Sequence, residues 1–343
     1  METKQTEQIA YLQWLRVFAA AAVVVMHTEG SWWPSISHET DAWQVLTAYD
    51  GLVRWPVPVF LMISGAIFLP RQTALKTVLT RYLPRMLLAY VLWSGLYALY
   101  GAYRGASAED TLMAFVSGHY HLWYLPFLCG VYLTLPFVQK IAEDARLTRQ
   151  LLAVGCVIGL LVPWLADAAV LLRPGAGGIV RTLEAKANFS FFFDHLSILV
   201  LGHVLHQTEL SPGARRLLYA AGILSAALTG PATVWATRLA RQQNTLFCDI
   251  AAPTTLCTAA ALFVFAKHHL NKLPKIVEWM ASCSFGVYLV HVLVLEVLEG
   301  RGIHALAWDP VWAVPVLSAA VFAISLAVSA VLRRLPAVGK YLV

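Results

Sequence analysis

Long apolar runs separated by short polar stretches dominate this chain. A helix needs about 20 mostly apolar residues to cross about 30 Å of hydrocarbon. Ten windows meet that requirement: 9–30, 46–69, 81–103, 120–140, 149–170, 187–206, 212–232, 246–266, 276–298 and 309–332. The pattern predicts an all-α, polytopic membrane bundle of about ten transmembrane helices. The window 187–206 is interrupted by Asp194, His195 and His203. No fixed-period repeat is visible and no stretch is long enough for an attached soluble domain, so one domain over 1–343 is expected. The N-terminal METKQTEQIAYLQWLR lacks the short basic region and small-residue cleavage site of a signal peptide. The first window is therefore expected to be retained as a helix.

Composition narrows the class. Of 343 residues, 59% are hydrophobic and only 13% charged, whereas soluble domains run near 45–50% apolar and about 25% charged. Mean hydropathy is +0.65. Soluble, disordered, collagenous and disulfide-scaffold classes are excluded. The formal charge of +6 is then expected to sort by membrane side rather than to bind nucleic acid. With a cytoplasmic N-terminus, sixteen Lys and Arg fall on the cytoplasmic side and seven outside, which predicts an N-in, C-in chain. Cys129, Cys156, Cys248, Cys257 and Cys283 form no C-x-x-C pair. Neither a disulfide framework nor a metal site is expected.

The few polar residues inside windows then carry the functional signal, because an ionisable group there is costly and faces a bundle interior or watery cavity. Arg16, Arg54 and Asp194 are such groups, with His27, His195 and His291 at membrane depth. In the N-in topology His27 and His291 lie in the outer half, and Asp194 enters from outside. His119 and His121 open the fourth window from outside, and Arg54 sits about a third of the way down. Separate segments thus bring titratable groups to one level. Near the cytoplasmic ends, Arg16, Lys76, Arg81 and Arg85 cluster without a carboxylate. Unpaired cations at that depth suit an anionic ligand such as a phosphate; the competing reading is anchoring by snorkelling side chains. Arg16 and His27 are eleven residues apart, about 1100° of helix and only about 20° off three turns. They share one stripe, separated by about 16 Å along the axis. An anion holder at one end of a channel and chemistry at the other would look like this.

The residues around these positions resemble those of the integral-membrane acyltransferase family 3. The resemblance rests on Arg-x10-His in the first window (Arg16 to His27), PVFLMISG (Pro58 to Gly65), the basic region of Arg81 and Arg85, HLWYL (His121 to Leu125) and SFGVYLVH (Ser284 to His291). It runs essentially end to end, and is closest in look to compact members that acetylate surface-polysaccharide sugars, of the enterobacterial common antigen type. The resemblance implies a cytosolic acetyl-CoA donor, a saccharide acceptor, free or lipid-linked, reached from the membrane or beyond it, and a bacterial inner-membrane location. It makes His27 the essential residue and assigns the inner arginines to CoA phosphates. Here Arg81 and Arg85 are spaced R-x-x-x-R around Pro84, where family members often show R-x-x-R.

The side-chain chemistry suggests roles. His27 suits a general base, because imidazole titrates near neutrality; the competing reading is a structural histidine between helices. Asp194, the one carboxylate deep in a window, is the better candidate to orient it, since Glu29 lies on a neighbouring but not identical face of the first helix. Arg54 would stabilise an oxyanion or hold an anionic acceptor, or else form an ion pair with an acid such as Asp194. His121, Trp123 and Tyr124 would line an acceptor mouth, or form an interfacial aromatic belt. Glu29 and His291 join the acceptor-side candidates, with helix packing as the other role of His291. A transporter of a lipid-linked saccharide or small anion is the alternative function, although no inverted repeat supports it.

Overall fold

The computed structural model describes residues 2–187 and 190–335, with side chains for 10–186 and 195–335. Helices make up the fold, and there is no strand among the described residues. In chain order they are α1 (Glu2–Gly30), α2 (Asp41–Val53), α3 (Pro56–Phe68), α4 (Leu75–Thr77), α5 (Leu83–Tyr103), α6 (Ala108–Ser117), α7 (Tyr124–Ala142) and α8 (Ala145–Val154). There follow α9 (Val162–Leu172), α10 (Pro174–Ala187), α11 (Ser190–Gln207), α12 (Pro212–Ala240), α13 (Pro253–His269), α14 (Lys275–Glu299) and α15 (Pro310–Leu332). Eight helical stretches among the described residues are long and apolar enough to cross a membrane. The windows 187–206 and 246–266 are occupied by α11 and α13, which are not among those eight. Proline explains the second of these: Pro253 starts α13 seven residues into its window, leaving 17 helical residues.

The second window is also not one continuous helix. α2 ends at Val53, Arg54 is its C-cap, and α3 begins at Pro56. Pro56 and Pro58 have no N–H to donate, so the hydrogen-bond ladder of α2 cannot pass through them. Arg54 therefore sits at a helix break inside the bundle. Two helices were unexpected. α6 lies where a loop was predicted, and its start is fixed by Ser107, whose hydroxyl accepts from Asp110 N (3.1 Å) and donates to the Asp110 carboxylate (2.6 Å). That is a capping pair written in the sequence. α10 is a short helix after Arg173 and carries Arg181 against Asp167 (3.1 Å) and Glu184 (2.5 Å).

Between membrane helices the lipid supplies no hydrophobic drive, so close packing and small residues hold the bundle together. α3 and α11 cross at two glycines. A Cβ on Gly65 would lie 1.8 Å from the Leu199 carbonyl oxygen, and one on Gly202 would lie 2.2 Å from the Met62 backbone. Around this crossing Leu61, Met62, Leu135, Leu199 and Phe263 are fully buried. α1 and α14 run parallel. Trp14 Nε1 donates to the Lys272 carbonyl (2.9 Å) at one end, and Trp32 Nε1 donates to Glu299 (3.2 Å) at the other. These two rails flank the site.

Candidate functional site

A cavity of about 920 Å³ runs along α1 and α14. Its lining includes Arg16 and Arg85 toward one end and His27, Arg54, His121, Glu296 and Glu299 toward the other. The helix arithmetic accounts for this. Arg16 and His27 are eleven residues apart on α1, as are Phe285 and Glu296 on α14, and each interval spans about 16 Å.

His27 Nδ1 lies 2.6 Å from His291 Nε2, and His291 Nδ1 lies 3.0 Å from the Val287 carbonyl oxygen. A carbonyl can only accept, so His291 donates from Nδ1. A neutral His291 then accepts at Nε2, and His27 donates from Nδ1. His27 Nε2 is left with its lone pair for the cavity that His27 lines. His291 is fully buried and its ring stacks on His27 at 4.8 Å between centroids. The orienting partner of His27 is therefore another histidine. Glu29 does not take that role. Glu29 is two residues on, about 200° around the helix, and is fully buried against Asp50 instead. Asp194 falls in α11 outside the residues whose side chains are described.

Arg54 is ion-paired with Asp50, four residues back along the chain. The guanidinium lines the cavity while the carboxylate behind it is fully buried. Of the two readings of Arg54, the ion pair with an acid is present, and the acid is Asp50. The i, i+4 acid was the available signal, since residues at that spacing are neighbours on a helix.

His121 is buried and lines the cavity. Its Nδ1 lies 3.0 Å from Nδ1 of His119, whose Nε2–H donates to Glu296 Oε1 (2.9 Å). The Tyr288 hydroxyl donates to the His121 carbonyl (2.6 Å), tying the start of α7 to α14. The His27 and His121 rings are 6.1 Å apart. Trp123 and Tyr124 also line the cavity.

At the opposite end, the Arg85 guanidinium lies 5.6 Å over the Phe285 ring. Arg16 Nη1 donates to Gln13 (3.4 Å), and among the described residues neither Arg16 nor Arg85 is paired with a carboxylate. A second cavity of about 430 Å³ shares Arg16 and adds Arg71 and Arg81. Lys76 lines neither cavity and is exposed. Arg71 was not among the expected site residues because it lies just past the second window. Its signal was its place in the same basic run as Arg81.

A basic end, a histidine pair with a free lone pair and an arginine beside it form a chamber suited to activating a hydroxyl near an anionic reactant. No curated protein and no solved structure matches the chain. The acyltransferase-3 family, described as an acyltransferase domain, matches residues 9–334. The chain belongs to this family, and its function is of the membrane acyltransferase kind.

Proposed function

We propose that the protein is an O-acetyltransferase of the bacterial inner membrane, moving acetyl from cytosolic acetyl-CoA to a hydroxyl of a surface or lipid-linked polysaccharide. In this reading the bundle has ten spans with both termini cytoplasmic, and resembles the enterobacterial common antigen type. The observation that carries the proposal is the single cavity joining Arg16 to His27. CoA phosphates occupy the basic end, held by Arg16, Arg71, Arg81 and Arg85, because guanidinium groups bind phosphate in paired, charge-assisted hydrogen bonds. The acyl-bearing arm then follows the α1 stripe toward His27. No metal takes part in the proposed step.

His27 Nε2 takes the proton of the acceptor hydroxyl as its oxygen bonds to the acyl carbon. The tetrahedral intermediate collapses with cleavage of the C–S bond, and the thiolate takes the proton back from His27. His291 holds the imidazole in the tautomer this requires and supports the imidazolium that forms. Arg54 stands at the cavity wall as the oxyanion stabiliser, while Asp50 fixes its orientation. His121, Trp123 and Tyr124 line the acceptor side, where aromatic faces stack on sugar rings.

The test is acetyl-CoA consumption by the purified protein, with radiolabelled acetyl followed into polysaccharide. Consumption matched by label in saccharide is expected. Movement of an intact saccharide across vesicles without acetylation would support a transporter instead.

A further inference from the structure

The same cavity carries opposite charge at its two ends. Arg16 and Arg85 line one end, while Glu296 and Glu299, three residues apart on the last turns of α14, line the other. Both carboxylates are held in place. Glu296 Oε1 accepts from His119 Nε2 at 2.9 Å, and Glu299 Oε1 accepts from Trp32 Nε1 at 3.2 Å. Trp32 is itself stacked on His304 at 4.4 Å between centroids. Each carboxylate keeps further capacity to accept hydrogen bonds. Around them the lining is Ser31, Pro34, Tyr120 and Trp123, and Tyr120 meets the His27 ring at 5.6 Å. His121, only 1% exposed, lines the same end and has a ring nitrogen without a hydrogen-bond partner.

The arginines near this end do not offset the two carboxylates. Arg54 lines the cavity but is paired with buried Asp50. Arg301 donates to the Val297 carbonyl (3.1 Å) and Arg104 lies beside Gly300, and neither lines the cavity. A ligand reaching His27 from this side must therefore pass two carboxylates within a largely apolar wall. Like charges brought together there repel, and side-chain carboxylates accept well from sugar hydroxyls or amines.

Resting on the acetyl-transfer reading, we propose that Glu296 and Glu299 select the acceptor by charge. The mouth takes a neutral or amine-bearing sugar and excludes one that carries a carboxylate or phosphate near the reacting hydroxyl. The same charge keeps the anionic CoA at the arginine end.

The probes are two amphiphiles that differ only in charge, octyl β-D-glucopyranoside and octyl β-D-glucuronide, offered with radiolabelled acetyl-CoA to the protein in proteoliposomes. The wild type is expected to acetylate the neutral probe at least about tenfold better in kcat/KM. In the Glu296→Gln, Glu299→Gln double variant the amides keep the acceptors for His119 and Trp32 and remove only the charge, so the ratio is expected to fall toward unity. Equilibrium binding of the two radiolabelled amphiphiles, which needs no acetyl-CoA, is expected to follow the same order. Equal or preferred use of the glucuronide by the wild type would overturn the proposal, as would a ratio unchanged in the double variant. Acetylation of native membranes without any transfer to the glucoside also counts against it. Failure to consume acetyl-CoA with any acceptor would instead defeat the acetyl-transfer reading, while the binding measurement would still decide the charge selection.

Discussion

The 2.6 Å bond between His27 and His291 gives the site its direction, because it assigns the protons of both rings from one backbone carbonyl. Removing it should spoil the base without emptying the cavity. His291→Phe keeps a ring of similar shape, and we expect kcat to fall roughly a hundredfold with KM for acetyl-CoA nearly unchanged. A loss of CoA binding in that variant would show that His291 only supports the fold. At the other end, Arg16→Ala removes a cation that faces both cavities. Charge-assisted hydrogen bonds contribute about 1.5–3 kcal/mol, so CoA affinity should weaken by about 10- to 100-fold. Unchanged affinity in a direct titration would remove Arg16 from the donor site. The shared stripe of Arg16 and His27 was legible in the sequence, because helical periodicity alone sets it. Their partners were less so. His27 and His291 are 264 residues apart, and depth assigned from window boundaries cannot show which face of one helix meets another. Asp50 is legible by the same periodicity, four residues from Arg54, but it sits near the start of its window rather than deep within it.

At the scale of elements, the interrupted second window and the α3–α11 crossing position the chemistry. The break at Pro56 turns Arg54 into the cavity wall, and Gly65 lets α11 come into contact with α3. Gly65→Ala would drive a methyl group into the Leu199 carbonyl. Overpacking of this kind costs roughly 1–3 kcal/mol or more, so we expect a lower melting temperature in detergent and partial loss of activity. A variant as stable as the wild type would mean that the two helices approach less closely. The windows anticipated most of the long helices, since an apolar run long enough to span is hard to mistake. The short ones were missed for the same reason: α6 and α10 fall below any spanning length. For α6, the Ser107–Asp110 capping pair was the overlooked signal.

The whole molecule presents a broad apolar exterior. Leu99, Phe137, Leu217, Ile223 and Trp312 are each more than 60% exposed, an arrangement that suits contact with lipid rather than water. Inside it, a cavity lined by arginines, histidines and carboxylates runs along α1 and α14. Basic residues concentrate on one side in the predicted topology, so single cysteines introduced at the Arg215–Arg216 turn should be shielded from impermeant thiol reagents in intact cells, and those near Arg301 should react. The opposite labelling pattern would invert the path proposed for donor and acceptor. The most direct test of the account is transfer of radiolabelled acetyl from acetyl-CoA to membrane saccharide by wild type and His27→Ala at equal protein levels. We expect the variant to lose about 10²–10⁴-fold in rate while still binding CoA through its arginine end. Full transfer by His27→Ala would contradict the mechanism.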